Sequence, residues 1–108
     1  MSVAVIGKQG TTLNVCPEGR LDAVRSPMLQ NEMGPYLAEA EQIVMDFSKV
    51  DYISSGGLRV LMWLEMEMEK RGGEVQVVHA HEDILKVFEL VGFMTVVHVI
   101  REGSDMRK

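Results

Sequence analysis

Apolar positions along this chain recur with two different periods, and the change from one to the other marks its elements. Val3 to Ile6 and Thr12 to Cys16 are short β-branched runs separated by Gly7-Lys8-Gln9-Gly10, which predicts two strands joined by a turn. Pro17 ends the second run, and Glu18-Gly19-Arg20-Leu21 leads into the next element. From Asp22 the spacing becomes helical. Asp22 is placed as an N-cap, and Ala23, Val24, Met28, Leu29 and Met33 supply an apolar face. Pro27 lacks an N–H and suits only a first turn, so an irregular turn over Ala23 to Ser26 is expected, with the regular helix beginning at Pro27. Gly34-Pro35 disturbs the far end of that helix.

Ile43-Val44-Met45-Asp46-Phe47 reads as a buried strand, followed by a connector, Ser48 to Ile53. Gly56-Gly57 opens a long helix to about Lys70, and Arg71-Gly72-Gly73 stops it. Glu74 to His79 is a further strand, Glu82 to Leu90 a helix stopped by Gly92, and Thr95 to Ile100 a final strand or extended segment. Arg101 to Lys108 is expected to be a frayed polar tail. Strands and helices alternate through the second half, an order that requires parallel pairing with right-handed crossovers. The expected class is α/β: a small, mostly parallel sheet with an N-terminal hairpin, flanked by helices.

Composition narrows the function. The 108 residues suit one compact domain, and no linker or repeat divides them. The formal net charge is -5 with no basic run, which argues against nucleic acid as the principal ligand. Cys16 is the single cysteine, so an intrachain disulfide and a cysteine-based zinc site are both excluded. Its apolar setting points to an inert buried thiol. The N-terminus lacks the pattern of a signal peptide, and no stretch approaches the roughly 18 apolar residues of a membrane span. A soluble cytoplasmic protein with no cofactor is expected.

The chemistry is concentrated where the strand over 43–47 gives way to the long helix. Ser54 and Ser55 directly precede Gly56 and Gly57. Glycines there allow close approach of another molecule. Hydroxyls at that position meet the free N–H groups and positive end of the helix, which favour an attached phosphate. Serine is also a preferred N-cap. One of the two can cap while its neighbour is modified, and the local sequence leaves open which.

Asp46-Phe47-Ser48, then Val50, Tyr52-Ile53-Ser54-Ser55 and Gly57-Leu58-Arg59-Val60-Leu61 together resemble the signature of STAS domains, specifically the anti-sigma-factor antagonists. Gly19-Arg20-Leu21-Asp22-Ala23 with Ser26-Pro27-Met28-Leu29 resembles their other recurring segment. Gly72-Gly73-Glu74-Val75 and Val87 to Phe93 resemble their later strand and helix. The likeness runs through nearly the whole chain in order. It implies a non-enzymatic partner-switching protein built as a single STAS domain over 1–108. In that family the unphosphorylated antagonist binds a serine kinase of the histidine-kinase-like ATPase type that is also an anti-sigma factor, and the kinase's client is released. The kinase phosphorylates the antagonist and frees itself, and a metal-dependent serine phosphatase resets the cycle. The resemblance assigns the phosphoacceptor to Ser55. Where a common form of the motif has Asp just before that serine, this chain has Ser54. An acidic residue near the phosphoacceptor corresponds to Asp22, whose other role is to cap the first helix.

On a helical projection Val60, Leu61, Leu64 and Met68 form a core face. Arg59, Met62, Trp63 and Met66 lie on another side beside the Ser55 end, where Met and Trp suit either a partner or a second packed face. The expected partner surface therefore comprises Asp22, Ser54, Gly56, Gly57, Arg59, Met62, Trp63 and Met66. A serine hydrolase using Ser55 has no motif-placed base and lacks the glycine of a nucleophile elbow at Ile53. His79 and His81 have no third metal ligand nearby. A STAS scaffold or small-ligand sensor without a kinase partner is the alternative reading.

Overall fold

The computed structural model describes residues 2–100, so the tail expected over 101–108 lies outside the described residues. Five strands form the main sheet in the order β1-β2-β4-β6-β7: Ala4–Gln9, Thr12–Pro17, Gln42–Asp46, Glu74–Val78 and His98–Val99. β1 and β2 pair antiparallel, and every other neighbour pair is parallel. Two short strands, β3 (Gly19–Leu21) and β5 (Val50–Ile53), make a separate parallel pair. The helices are α1 (Arg25–Met33), α2 (Ser55–Lys70) and α3 (Glu82–Leu90). This is the α/β class that the alternation of elements implied.

The central strands carry the core in register. Leu13, Ile43 and Val75 lie side by side across β2, β4 and β6, and Val15, Met45 and Val77 form the next row. All six are buried. The alternate positions Asn14, Val44 and Gln76 face the other way and remain partly or fully exposed. That period-two pattern places the tightly packed layer on one face of the sheet. α1 contributes Leu29 and Met33 to it, and α2 contributes Val60, Leu61, Leu64 and Met68, the face expected from the projection. Phe88 of α3 is fully buried between Phe47 and Phe93, with ring centroids 6.3 and 5.5 Å away. Such aromatic neighbours add to the stabilisation from burial itself.

Several boundaries differ from the sequence reading. The hairpin turn is Gly10-Thr11 rather than Gly7 to Gly10. Gly7, Lys8 and Gln9 continue β1, because ladder pairing runs to Gln9 opposite Thr12. Their polar composition reflects an exposed edge strand, not a loop. Pro17 is the last residue of β2 instead of its terminator. α1 begins at Arg25, ahead of Pro27, with its first backbone bond running from Ser26 N–H to the Asp22 carbonyl. Pro27 still falls in the first turn, where a missing N–H costs little. Ala23 and Val24 are exposed, and Ser26 takes the buried position they were expected to fill. The residues Gly34–Glu39 form a tight 3-10 turn after α1. At the other end of the chain, Phe93–Thr95 is also a 3-10 turn, which shortens the final strand to His98–Val99.

The stop after α2 works by close approach. Gly73 N–H donates to the Met68 carbonyl at 2.7 Å. A Cβ on Gly73 would lie 2.7 Å from the Glu41 carbonyl oxygen, closer than side chains tolerate. Glycine thus lets β6 start directly beside the start of β4.

Candidate functional site

The β3–β5 pair builds the site. The sequence reading passed over both strands, since each is short and lacks a long β-branched run. Pairing sets Leu21 beside Ile53 and Arg20 beside Tyr52. It therefore brings the segment around Asp22 against the serines at the start of α2, more than thirty residues later in the chain.

Ser54 closes this junction. Its N–H donates to the Leu21 carbonyl at 3.0 Å, and its hydroxyl donates to the same oxygen at 3.2 Å. The same hydroxyl accepts the Gly56 N–H at 3.1 Å, and the Ser54 carbonyl accepts the Leu58 N–H. Ser54 is thus the N-cap of α2, with extended backbone and one orphan amide satisfied. Ser55 is the first helical residue and is exposed. Among the described residues no hydrogen bond holds its hydroxyl.

Gly56 and Gly57 differ in what they permit. A Cβ at Gly57 would lie 2.6 Å from Ile53 Cγ1 and 3.0 Å from the Leu21 carbonyl oxygen. The start of α2 can sit against β3 and β5 only because this position has no side chain. A Cβ at Gly56 would meet ordinary contacts of 3.5 Å or more. Gly57 is buried and Gly56 is partly exposed.

The Asp22 carboxylate is committed to the start of α1. One oxygen accepts the N–H groups of Val24 (3.1 Å) and Arg25 (2.9 Å), and the other faces the Arg20 guanidinium at 3.8 Å. The Arg25 N–H is the largest influence and holds this carboxyl below its ordinary value; desolvation, next in size, opposes it, and the Val24 N–H and the Arg20 charge add to the lowering. Among the described residues no hydrogen bond joins it to either serine. The N-cap of α1 is Val24, so Asp22 is not the cap the sequence suggested; its carboxylate instead secures the turn that leads into the helix.

Along α2, Ser55, Arg59, Met62 and Met66 follow at intervals of four, three and four and form one exposed stripe. Met62 is 44% and Met66 56% exposed. Trp63 departs from the expected arrangement: it is half-buried and packs against the core at the border of the stripe. The residue before it on the helix surface faces outward, and the hundred-degree step between neighbours turns the indole inward. The sequence reading also missed Tyr52 and Arg20. The Arg20 guanidinium lies 4.0 Å from the centre of the partly exposed Tyr52 ring, a cation–π contact at the edge of the site. Ala23, Pro27 and Gln30 of the α1 region, with Ser55, Gly56, Arg59 and Val60 of α2, line a cleft of about 290 Å³.

Other candidate chemistry is dispersed. His81 bonds the Ser48 carbonyl, and His98 contacts Glu74. Cys16 is half-buried, and desolvation is the first cause of its raised pKa, followed by the Asp46 charge. Among the described residues no group of three His, Cys, Asp or Glu side chains can hold a metal ion, and no helix is long and apolar enough to cross a membrane.

The family profile described as the Mlab, STAS domain matches residues 5–100. The chain belongs to the STAS-domain family. Among its relatives, BtrV of Bordetella bronchiseptica, provisionally named an anti-sigma factor antagonist, is 28% identical over 85 residues, covering 78% of this chain and 73% of BtrV. The anti-sigma-B factor antagonist of Bacillus subtilis is 22% identical over 100 residues, 92% of each chain. The solved anti-sigma factor antagonist SpoIIAA shares the fold. Its unphosphorylated form has a TM-score of 0.73 at 13% identity, covering 95% of this chain and 92% of that one. Its phosphorylated form, from Bacillus, has a TM-score of 0.72 at 15% identity, covering 95% and 96%.

Proposed function

We propose that this chain is an anti-sigma-factor antagonist that acts as a phosphorylation-controlled binding protein. In its unphosphorylated state the face around Ser55 binds a serine kinase of the histidine-kinase-like ATPase type that doubles as an anti-sigma factor, and the kinase's client is released. Phosphorylation of Ser55 ends that binding, and a metal-dependent serine phosphatase restores it. The cycle would run in the cytoplasm, where ATP is at hand. Two relatives named as antagonists align over most of the chain and support this reading.

The observation that carries it is the division of labour between adjacent serines. Ser54 is engaged on both sides, as donor to Leu21 and acceptor from Gly56, while Ser55 is exposed at the first position of α2. A kinase can reach the Ser55 oxygen without dismantling the cap. The γ-phosphoryl group of ATP moves to Ser55 Oγ, the bond to the ADP oxygen breaks, and the hydroxyl proton leaves to the kinase's base.

Phosphate adds roughly 1.5 to 2 negative charges and a tetrahedral group at pH 7. At the first turn of a helix those charges are favourably placed, so the fold tolerates them. At the centre of an interface they must be desolvated against a partner, and each loss of about 1.4 kcal/mol weakens binding tenfold. The switch therefore operates on affinity, with the backbone unchanged.

Mass spectrometry after incubation with the cognate kinase and ATP tests the assignment. One phosphate is expected on Ser55 and none on Ser55→Ala; full phosphorylation of that variant would move the site to Ser54. Calorimetry should show weaker kinase binding for Ser55→Asp and for the phosphorylated protein. Equal affinities for the two phosphorylation states would sink the mechanism.

A further inference from the structure

Arg59 lies four residues beyond Ser55 on the same exposed stripe, and both line the cleft between α1 and α2. Among the described residues no acidic side chain lines that cleft. The other arginines among residues 2–100 are engaged. Arg20 faces Asp22 and Tyr52, Arg25 donates to the Glu18 carbonyl, and Arg71 pairs with Glu67. Arg59 makes no ion pair among the described residues. In a chain of net charge -5, a cationic cleft beside a free hydroxyl is an uncompensated feature.

We propose that Arg59 is the internal counterion of phosphorylated Ser55, drawing the phosphate along α2 into this cleft. The inference rests on Ser55 being the modified residue. Side chains four apart on a helix have Cβ atoms about 5–6 Å apart, within the combined reach of a phosphoserine and an arginine. The guanidinium fork matches two phosphate oxygens, which a lysine at the same place would not do. Anion before cation is also the order that the helix field favours. Gln30, across the cleft on α1, brings an amide that can donate to a third oxygen.

The pairing gives phosphorylation a second effect. In the unphosphorylated protein Arg59 is available to an acidic group of a partner. Once Ser55 carries phosphate, Arg59 is turned inward to it. The modification thus removes a cation from the binding face while adding an anion, and both changes act against the same partner.

The test requires no kinase. Phosphoserine is inserted at position 55 during synthesis of the full chain, and the phosphate is titrated by phosphorus NMR. In the otherwise native protein it should titrate at lower pH than in an unstructured phosphopeptide spanning 52–58. Arg59→Gln should remove the difference that Arg59 makes, and Arg59→Lys should restore only part of it. Lys70→Gln removes one positive charge at the far end of α2 and should leave the titration unmoved. Identical titrations for the native and Arg59→Gln phosphoproteins would overturn the proposal, as would an equal displacement by Lys70→Gln. A kinase that ignores Ser55 would count against the proposed function and leave this measurement standing, so the two failures are told apart.

Discussion

The Ser54 hydroxyl donates to the Leu21 carbonyl at 3.2 Å, tying the start of α2 to the strand that leads into α1. Because the same oxygen accepts the Gly56 N–H, one side chain serves the cap and the junction together. Ser54→Ala should lower stability by about 1–2 kcal/mol, the sum of a lost cap and a weakened junction. Ser55→Ala, at an exposed position where no hydrogen bond among the described residues holds the hydroxyl, should stay within about 0.5 kcal/mol of the parent. Urea denaturation of both variants distinguishes them. Equal destabilisation by the two substitutions would contradict the division of roles.

The adjacent glycines should separate in the same way. Gly57→Ala forces a Cβ against Ile53 and the Leu21 carbonyl, and such overpacking costs about 1–3 kcal/mol. Gly56→Ala meets only ordinary contacts and should be neutral, or gain up to about 1 kcal/mol from the helix propensity of alanine. Thermal melts of the two variants should therefore move in different amounts.

The two faces of α2 offer a third comparison. Leu64 is fully buried, and Leu64→Ala should cost about 2–5 kcal/mol. Met62→Ala and Met66→Ala, both substantially exposed, should change stability by no more than about 0.5 kcal/mol. If the stripe meets the kinase, those two variants should weaken its binding measurably by calorimetry. Unchanged kinase affinity with full stability would remove the methionines from the interface.

Two carboxyls should shape the pH dependence with opposite signs. Asp22 is held below its ordinary value, so the folded state binds fewer protons there than the unfolded chain. Its stabilising contribution is present above the ordinary aspartate value and is lost as pH falls through the lower folded value. Asp22→Asn should flatten that acid limb. Glu65 is raised, first by desolvation and then by the charges of Glu69 and Glu74. Its contribution is present below the ordinary glutamate value and is lost as pH rises through the higher folded value. Glu65→Gln should consequently be more stable than the parent at neutral pH. Denaturation midpoints measured from acid to neutral pH report both signs.

The sequence alone determined the elements whose signals are local. Short apolar runs around Leu13, Val15, Ile43 and Val75, rich in β-branched residues, specified the central strands. The spacing of Val60, Leu61, Leu64 and Met68 specified the buried side of α2, because a 3.6-residue period can bury only one stripe. The serine–glycine step at 54–57 was equally legible, since capping and close approach depend on residue type. What only the tertiary structure decided depends on partners distant in the chain. β3 and β5 are three and four residues long, too short to announce themselves, and exist because they pair with each other. That pairing supplies the Leu21 carbonyl that occupies Ser54 and leaves Ser55 free. It also brings Asp22 to this end of the fold while α1 claims its carboxylate. Trp63 followed the same rule: periodicity placed it beside the stripe, but the packing beneath α2 decided how far it turned inward.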